Sequence, residues 1–207
     1  TDAHGQTPLH YVCYNKNVTL EIVRLLIDAS PGSLHQEDKF FCSMPLHRLC
    51  ANENLDDTAS LEILKLLVEK CPESVRHADS DGDHPLHLAC SWGEKSPEFC
   101  RILIEAYPGS EQSANNVGAL PFHLACCYGT VATAEYLYKL YPDAINMADE
   151  NGWYPINYAI DGIGKRNDLA TAIEMVRFLL DCDPNVALQE VRGRFPLVWI
   201  CYRASST

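Results

Sequence analysis

Apolar residues recur at helical spacing in five segments separated by polar, turn-rich stretches. The segments are LEIVRLLIDA from Leu20, LEILKLLVEK from Leu61, EFCRILIEAY from Glu98, TAEYLYKLY from Thr133 and TAIEMVRFLLDC from Thr171. Positions such as Ile22, Leu25 and Leu26, or Ile63, Leu66 and Leu67, stand three and four apart, the spacing that lines one helix face. A proline follows each segment, at Pro31, Pro72, Pro108, Pro142 and Pro184. It stops the helix, because its ring has no N–H to donate and clashes with the preceding turn. Ahead of each segment lies a shorter apolar stretch such as PLHYVC, whose proline suits the first helical turn. The pattern predicts an all-α chain built from pairs of one short and one long helix.

The short stretches form a repeat. Their prolines stand at Pro8, Pro45, Pro85, Pro121, Pro155 and Pro196, at intervals of 37, 40, 36, 34 and 41 residues. Three residues earlier come Gly5, Gly82, Gly118, Gly152 and Gly193, with Cys42 in the second copy. Six earlier come Asp2, Asp79, Asn115 and Asp149, with Lys39 and Glu190 as departures. Asp-x-x-Gly is turn chemistry: the carboxylate bonds nearby backbone, and glycine takes positive φ. From anchor proline to second proline the counts are 23, 27, 23, 21 and 29, whereas from there to the next anchor they are 14, 13, 13, 13 and 12. Length varies on one edge and is held on the other, as stacking of successive repeats requires.

Residues Asp2–Cys13 and Asp79–Cys90 most fully show a D-x-x-G-x-T-P-L-H-x-A-like core. In these residues the chain resembles the ankyrin-repeat family. The resemblance implies an all-α ankyrin-repeat solenoid of helix-turn-helix units joined by β-turn fingers. It covers 1–207 as a single array, with repeats at about 1–38, 39–78, 79–114, 115–148 and 149–189 and a partial one at 190–207. An array that opens at a finger and stops after one helix is expected to be a fragment of a longer chain.

Histidine and cysteine recur three residues apart: His10 with Cys13, His47 with Cys50, His87 with Cys90, and His123 with Cys126. That spacing puts both on one helix face and suits a metal site. A structural zinc, however, takes four ligands at about 2.0–2.3 Å. Each repeat offers two, and neighbouring helices pack about 8–10 Å apart. The fifth copy has Asn157 and Ile160, and the sixth has Val198 and Cys201. Packing positions tolerate such exchanges; a ladder of metal sites does not. The resemblance implies that the histidines bond finger backbone, with Asn157 offering a similar N–H donor, and the cysteines suit helix contacts as small hydrophobes. His10, His47, His87, His123, Asn157, Cys13, Cys50, Cys90 and Cys126 are therefore assigned structural roles, with no metal, cofactor or catalytic residue. GIGKRN from Gly162 lacks phosphate-loop spacing, and DSDGD from Asp79 lacks the distal glutamate of a calcium loop. Of the vicinal Cys126 and Cys127, one core and one surface thiol are expected.

Charge narrows the partners. With 16 basic and 28 acidic residues the net charge is -12, which disfavours nucleic acid and anionic membranes. It favours a protein with a basic surface, although acidity also serves solubility. No stretch approaches the roughly 18 apolar residues of a membrane span. The 10 cysteines fall short of a disulfide scaffold and include no CxxC pair, which predicts reduced thiols and an intracellular location.

Solenoids bind through an extended face. The resemblance assigns binding to the finger tips and to the positions just after each cysteine, among them Tyr14, Asn15, Asn52, Trp92, Cys127, Tyr128, Asp161, Gly162 and Tyr202. Phe40, Phe41, Trp92, Tyr128, Trp153 and Tyr202 are the expected anchors, since interface hot spots favour aromatics. Asp81 and Asp83 join them as non-repeating finger charges; inward folding of Phe40 or Phe41 is the alternative. The insertions at Asn52–Asp57, Glu94–Pro97 and Asp161–Asp168 are expected to be tolerated loops or a second contact surface. The chain is thus expected to be a non-enzymatic interaction scaffold without a small-molecule substrate. A second reading is a regulatory or targeting module of a longer enzyme or membrane-associated protein.

Overall fold

The computed structural model describes residues 1–92, 95–163, 165, 169–191 and 196. Glu94, Arg166, Arg192, Gly193, Arg194, Val198, Cys201 and Tyr202 lie outside the described residues. The chain divides into two compact units, residues 1–110 and 111–207. The first holds α1 (Pro8–Cys13), α2 (Leu20–Ala29), α3 (Pro45–Cys50), α4 (Asp57–Lys70), α5 (Pro85–Ser91) and α6 (Pro97–Ala106). The second holds α7 (Pro121–Tyr128), α8 (Val131–Leu140), α9 (Pro155–Gly162) and α10 (Leu169–Cys182). Among the described residues no helix is long and apolar enough to cross a membrane.

In both units a short helix packs on the long helix of its own repeat and on the short helix of the next. In the first unit α1 lies against α2 and α3, and in the second α7 lies against α8 and α9. Long helices start at side-chain caps: Thr19, Asp56, Ser96 and Thr130 each accept the N–H three residues on. The second proline does more than end them. It opens a 3-10 turn at Pro31–His35, Pro72–Arg76, Pro142–Asn146 and Pro184–Leu188. Proline's fixed φ suits that start, and the turn explains the near-constant connector length.

The long helices do not all bury the face their periodicity suggests. In α4, Ile63, Leu66 and Leu67 are buried as expected. In α2, the equivalent Ile22 and Leu25 are exposed, and Val23 and Ile27 are buried instead. Of the long helices in this unit, α4 packs on both α2 and α6.

The first, third, fourth and fifth fingers are Asx-type turns. Asp2, Asp79, Asn115 and Asp149 accept through one side-chain oxygen the backbone N–H groups two and four residues on, at 2.8–3.1 Å. Single backbone bonds tie neighbouring tips: Lys39 N–H donates to His4 O (2.9 Å), Ser80 to Phe41 O (2.7 Å) and Glu150 to Val117 O (3.0 Å). Gly118, at φ +79°, shows why glycine recurs here: a Cβ would stand 2.8 Å from the Glu150 nitrogen.

The second finger departs from the sequence pattern. Its anchor is Asp38, not Lys39, and it bonds the N–H groups of Phe40 and Phe41 at 3.0 and 2.8 Å. One extra residue therefore lies between the anchor and the positive-φ position, which Cys42 occupies at φ +51°. That conformation costs a β-carbon residue about 1 kcal/mol. Cys42→Gly is expected to stabilise the first unit by about 0.5–1 kcal/mol in urea unfolding, the relief being partly offset by a more flexible unfolded chain.

Two insertions are anchored inside the structure. Asn52 is buried and donates from Nδ2 to the Cys13 and Asn15 carbonyls at 3.0 and 3.4 Å. The Lys95 ammonium, also buried, donates to Asn52 O at 2.7 Å and to Ser60 Oγ at 3.1 Å, and lies 5.1 Å from the Phe99 ring centre. Burial lowers its pKa. Asn52 is thus an internal tie across three repeats of the first unit, not part of an exposed binding face. Buried polar groups need such partners.

Candidate functional site

The recurring histidines are buried and bonded to backbone. Nδ1 of His10, His47, His87 and His123 accepts the N–H of Thr7, Met44, His84 and Leu120, each at 3.1 Å. This is the reach-back half of a capping box, made by histidine at the third helical position. Since Nδ1 accepts, the proton sits on Nε2. That N–H donates to the next finger's backbone: His10 to Ser43 O (3.0 Å), His47 to His77 O (3.2 Å) and His123 to Met147 O (3.0 Å). Both ring nitrogens of these three are thereby occupied. Burial depresses all three, His47 to about 3 and His123 to about 4. Asn157 makes the same reach-back bond: its Oδ1 accepts the Tyr154 N–H at 3.0 Å, as Nδ1 does in the histidines.

The cysteines sit in apolar surroundings. Cys13, Cys50, Cys90 and Cys126 are buried, and burial pushes the Cys13 thiol up to about 12. Cys127 is also buried, so the expected split into core and surface thiols fails. The short helix α9 packs on α7, the helix that carries Cys127. Gly162 is likewise buried and not on a binding face.

What does not repeat lies in two grooves, one in each unit. The groove of the first unit encloses about 340 Å³ and is lined by Tyr14, Phe41, Arg48, Leu88 and Trp92 with Asp79, Asp81 and Asp83. Phe41 and Trp92 are 50% and 52% exposed, and Phe40 on the same tip is 64% exposed, so neither phenylalanine folds inward. The extra finger residue carries both rings outward.

The finger carboxylates of this unit are not equivalent. The second oxygen of Asp2 accepts from Tyr11 OH at 2.6 Å, and that of Asp38 accepts from the Arg48 guanidinium at 2.7 Å. Tyr11 and Arg48 stand three residues after their anchor prolines. In the third repeat that place is Leu88, which offers no donor. Burial raises the Asp79 pKa, whereas Asp2 is held low by Tyr11. Asp79 is a half-buried carboxylate at the groove wall whose own short helix supplies no counter-group.

The second unit's groove has a similar volume, about 340 Å³, and is lined by Tyr128, Trp153, Tyr158, Asp149, Asp161 and Lys165. Here the anchors engage their own chain. Lys165 Nζ donates to Tyr128 OH at 2.9 Å, stands 5.0 Å from that ring's centre and pairs with Asp161 at 2.6 Å. Although partial burial opposes it, the bonds to Asp161 and Tyr128 raise the Lys165 pKa. Tyr158 OH donates to Asp149 at 2.8 Å, and Trp153 meets Tyr158 edge-on at 5.9 Å. Tyr128 and Trp92 hold the same place, two residues after their repeat's cysteine.

A family model for ankyrin repeats in three copies matches residues 20–116 and 46–151, and one for a single ankyrin repeat matches residues 4–35. No curated protein sequence matches the chain. Ankyrin repeats are generally protein–protein interaction modules and typically have no enzymatic activity. With these matches over most of its length, and with its paired helices, Asx fingers and capping histidines, the chain belongs to the ankyrin-repeat family.

Proposed function

We propose that the chain is a non-enzymatic interaction module whose first-unit groove binds a protein segment through a lysine or arginine flanked by apolar residues. The observation that carries this is Asp79, half-buried beside exposed Trp92 and Phe41 and, unlike Asp2 and Asp38, given no donor by its own short helix. An incoming cation would supply that donor, and its stem would cover the aromatic surface. The second unit offers an internal precedent: Lys165 seats its ammonium on Tyr128, the counterpart of Trp92, beside Asp161. Asp81 and Asp83 add long-range attraction, and net charge -12 adds more. Tyr128 and Trp153 serve in this reading as a self-occupied groove; Phe40 extends the apolar edge of the first.

Selection of random peptides on the 207-residue chain tests this. Binders are expected to carry lysine or arginine beside an apolar residue. Phe41→Ala and Trp92→Ala are each expected to weaken them about tenfold or more. Asp79→Asn is expected to weaken them and flatten their salt dependence. Acidic binders, or basic binders indifferent to Trp92 and Asp79, would sink the proposal.

A further inference from the structure

At each junction of successive repeats described within a unit, the end of one 3-10 turn meets the start of the next. The chemistry there differs every time. Arg76 lies over Tyr107, 4.8 Å from its ring centre, and Asn146 Nδ2 donates to Asp183 at 3.1 Å. At the first junction of the first unit the same slot holds His35, Cys71 and Glu73, whose ligand atoms all lie within 4.8 Å of one another. His35 ends the turn Pro31–His35, Cys71 precedes Pro72, and Glu73 follows it.

A hydrogen bond already joins two of these atoms. His35 Nε2 stands 2.6 Å from Glu73 Oε1, and the Cys71 thiol, which donates weakly to the Leu34 carbonyl at 4.0 Å, lies beside the same carboxylate. The sulfur is buried, whereas His35 and Glu73 are exposed, so the site has a closed floor and an open mouth. Zinc binds thiolate at about 2.3 Å, imidazole at about 2.0 Å and carboxylate at about 2.0–2.2 Å. Tetrahedral ligands at those lengths stand roughly 3.3–3.8 Å apart, within reach of small side-chain shifts from the present positions. A mixed set of one nitrogen, one sulfur and one oxygen suits zinc over magnesium or calcium, which take oxygen ligands.

We propose that His35, Cys71 and Glu73 form a zinc(II) site, with water as the fourth ligand, that clips the first two repeats together. The ion takes the place of the His35–Glu73 hydrogen bond. Cys71 loses its proton to solvent and binds as thiolate. His35 remains neutral, its proton moving to Nδ1 while Nε2 binds. One proton is released per ion, and the charges of zinc, thiolate and carboxylate cancel. Because the ion competes with the thiol proton, binding weakens as pH falls.

Cobalt(II) titration of the 207-residue chain under reducing conditions, followed by zinc competition, tests this. One equivalent is expected to bring in a thiolate-to-cobalt charge-transfer band, release one proton and raise Tm; zinc is expected to abolish the band. Cys71→Ser is expected to remove it. His35→Ala and Glu73→Gln, at exposed positions that leave the fold intact, are each expected to weaken binding at least tenfold. Cys42→Ser is expected to leave the band unchanged. No band at one equivalent, a band that survives Cys71→Ser, or one indifferent to both His35→Ala and Glu73→Gln would overturn the site.

Discussion

Replacing His123 by alanine is expected to destabilise the second unit by about 3 kcal/mol, measured by urea unfolding at neutral pH. His123 is fully buried and joins the Leu120 N–H to the Met147 carbonyl, 24 residues on. Alanine leaves a buried backbone donor and acceptor without this partner and opens a void beside Tyr158, whose ring lies 5.1 Å away. Each orphaned group costs about 1–3 kcal/mol, and the void adds to that. His123→Asn separates the two halves of the role. Asn157 shows that asparagine accepts the N-cap N–H in this slot. Its shorter side chain is expected to keep that bond and lose the reach to Met147, for about half the loss. Equal losses for the two variants would show that the N-cap bond contributes little.

The second large effect is acid sensitivity. Folded His47 and His123 have pKa values of about 3 and 4 because burial disfavours the imidazolium. Unfolded imidazoles protonate near about 6.5. Their contribution is fully present above that value. As pH falls from there toward the folded values the unfolded chain binds more protons, so stability declines. At pH 5 the expected loss relative to pH 7.5 is about 2 kcal/mol for each histidine, one in each unit. Asp38 acts further down: despite its burial, the Phe41 N–H and the Arg48 guanidinium hold its pKa low, so its share is lost only as carboxylates protonate. Urea midpoints from pH 7.5 to 4 check this. A flat profile between 7.5 and 5 would mean that the imidazoles are charged or exposed in the folded chain.

The repeat was legible because its parts act locally. Proline opens each short helix, glycine takes the positive φ of a finger, and histidine reaches back three residues; all three leave fixed intervals in the sequence. The rest depends on what stacking brings together. Lys39 and Cys42 looked like substitutions in a fixed frame, whereas the second finger is one residue longer and anchored by Asp38. Asn52 and Cys127 looked like surface positions until neighbouring repeats covered them. Ile22 and Leu25 share α4's pattern yet are exposed in α2. His35 and Glu73, 38 residues apart, show no motif spacing at all. One signal did exist for the groove: Leu88 stands where Tyr11, Arg48 and Tyr158 offer donors, so Asp79 is the finger aspartate given no partner by its own helix.

The central claim is a division of labour: recurring residues hold the repeats, and non-recurring ones bind. Its most direct test is calorimetric titration of a selected basic peptide into the wild-type chain and into Trp92→Ala, with Tm recorded on the same samples. Trp92 is half exposed, so the account predicts at least about a tenfold loss of affinity with Tm nearly unchanged. Unchanged affinity, or a loss that only tracks unfolding, would contradict it.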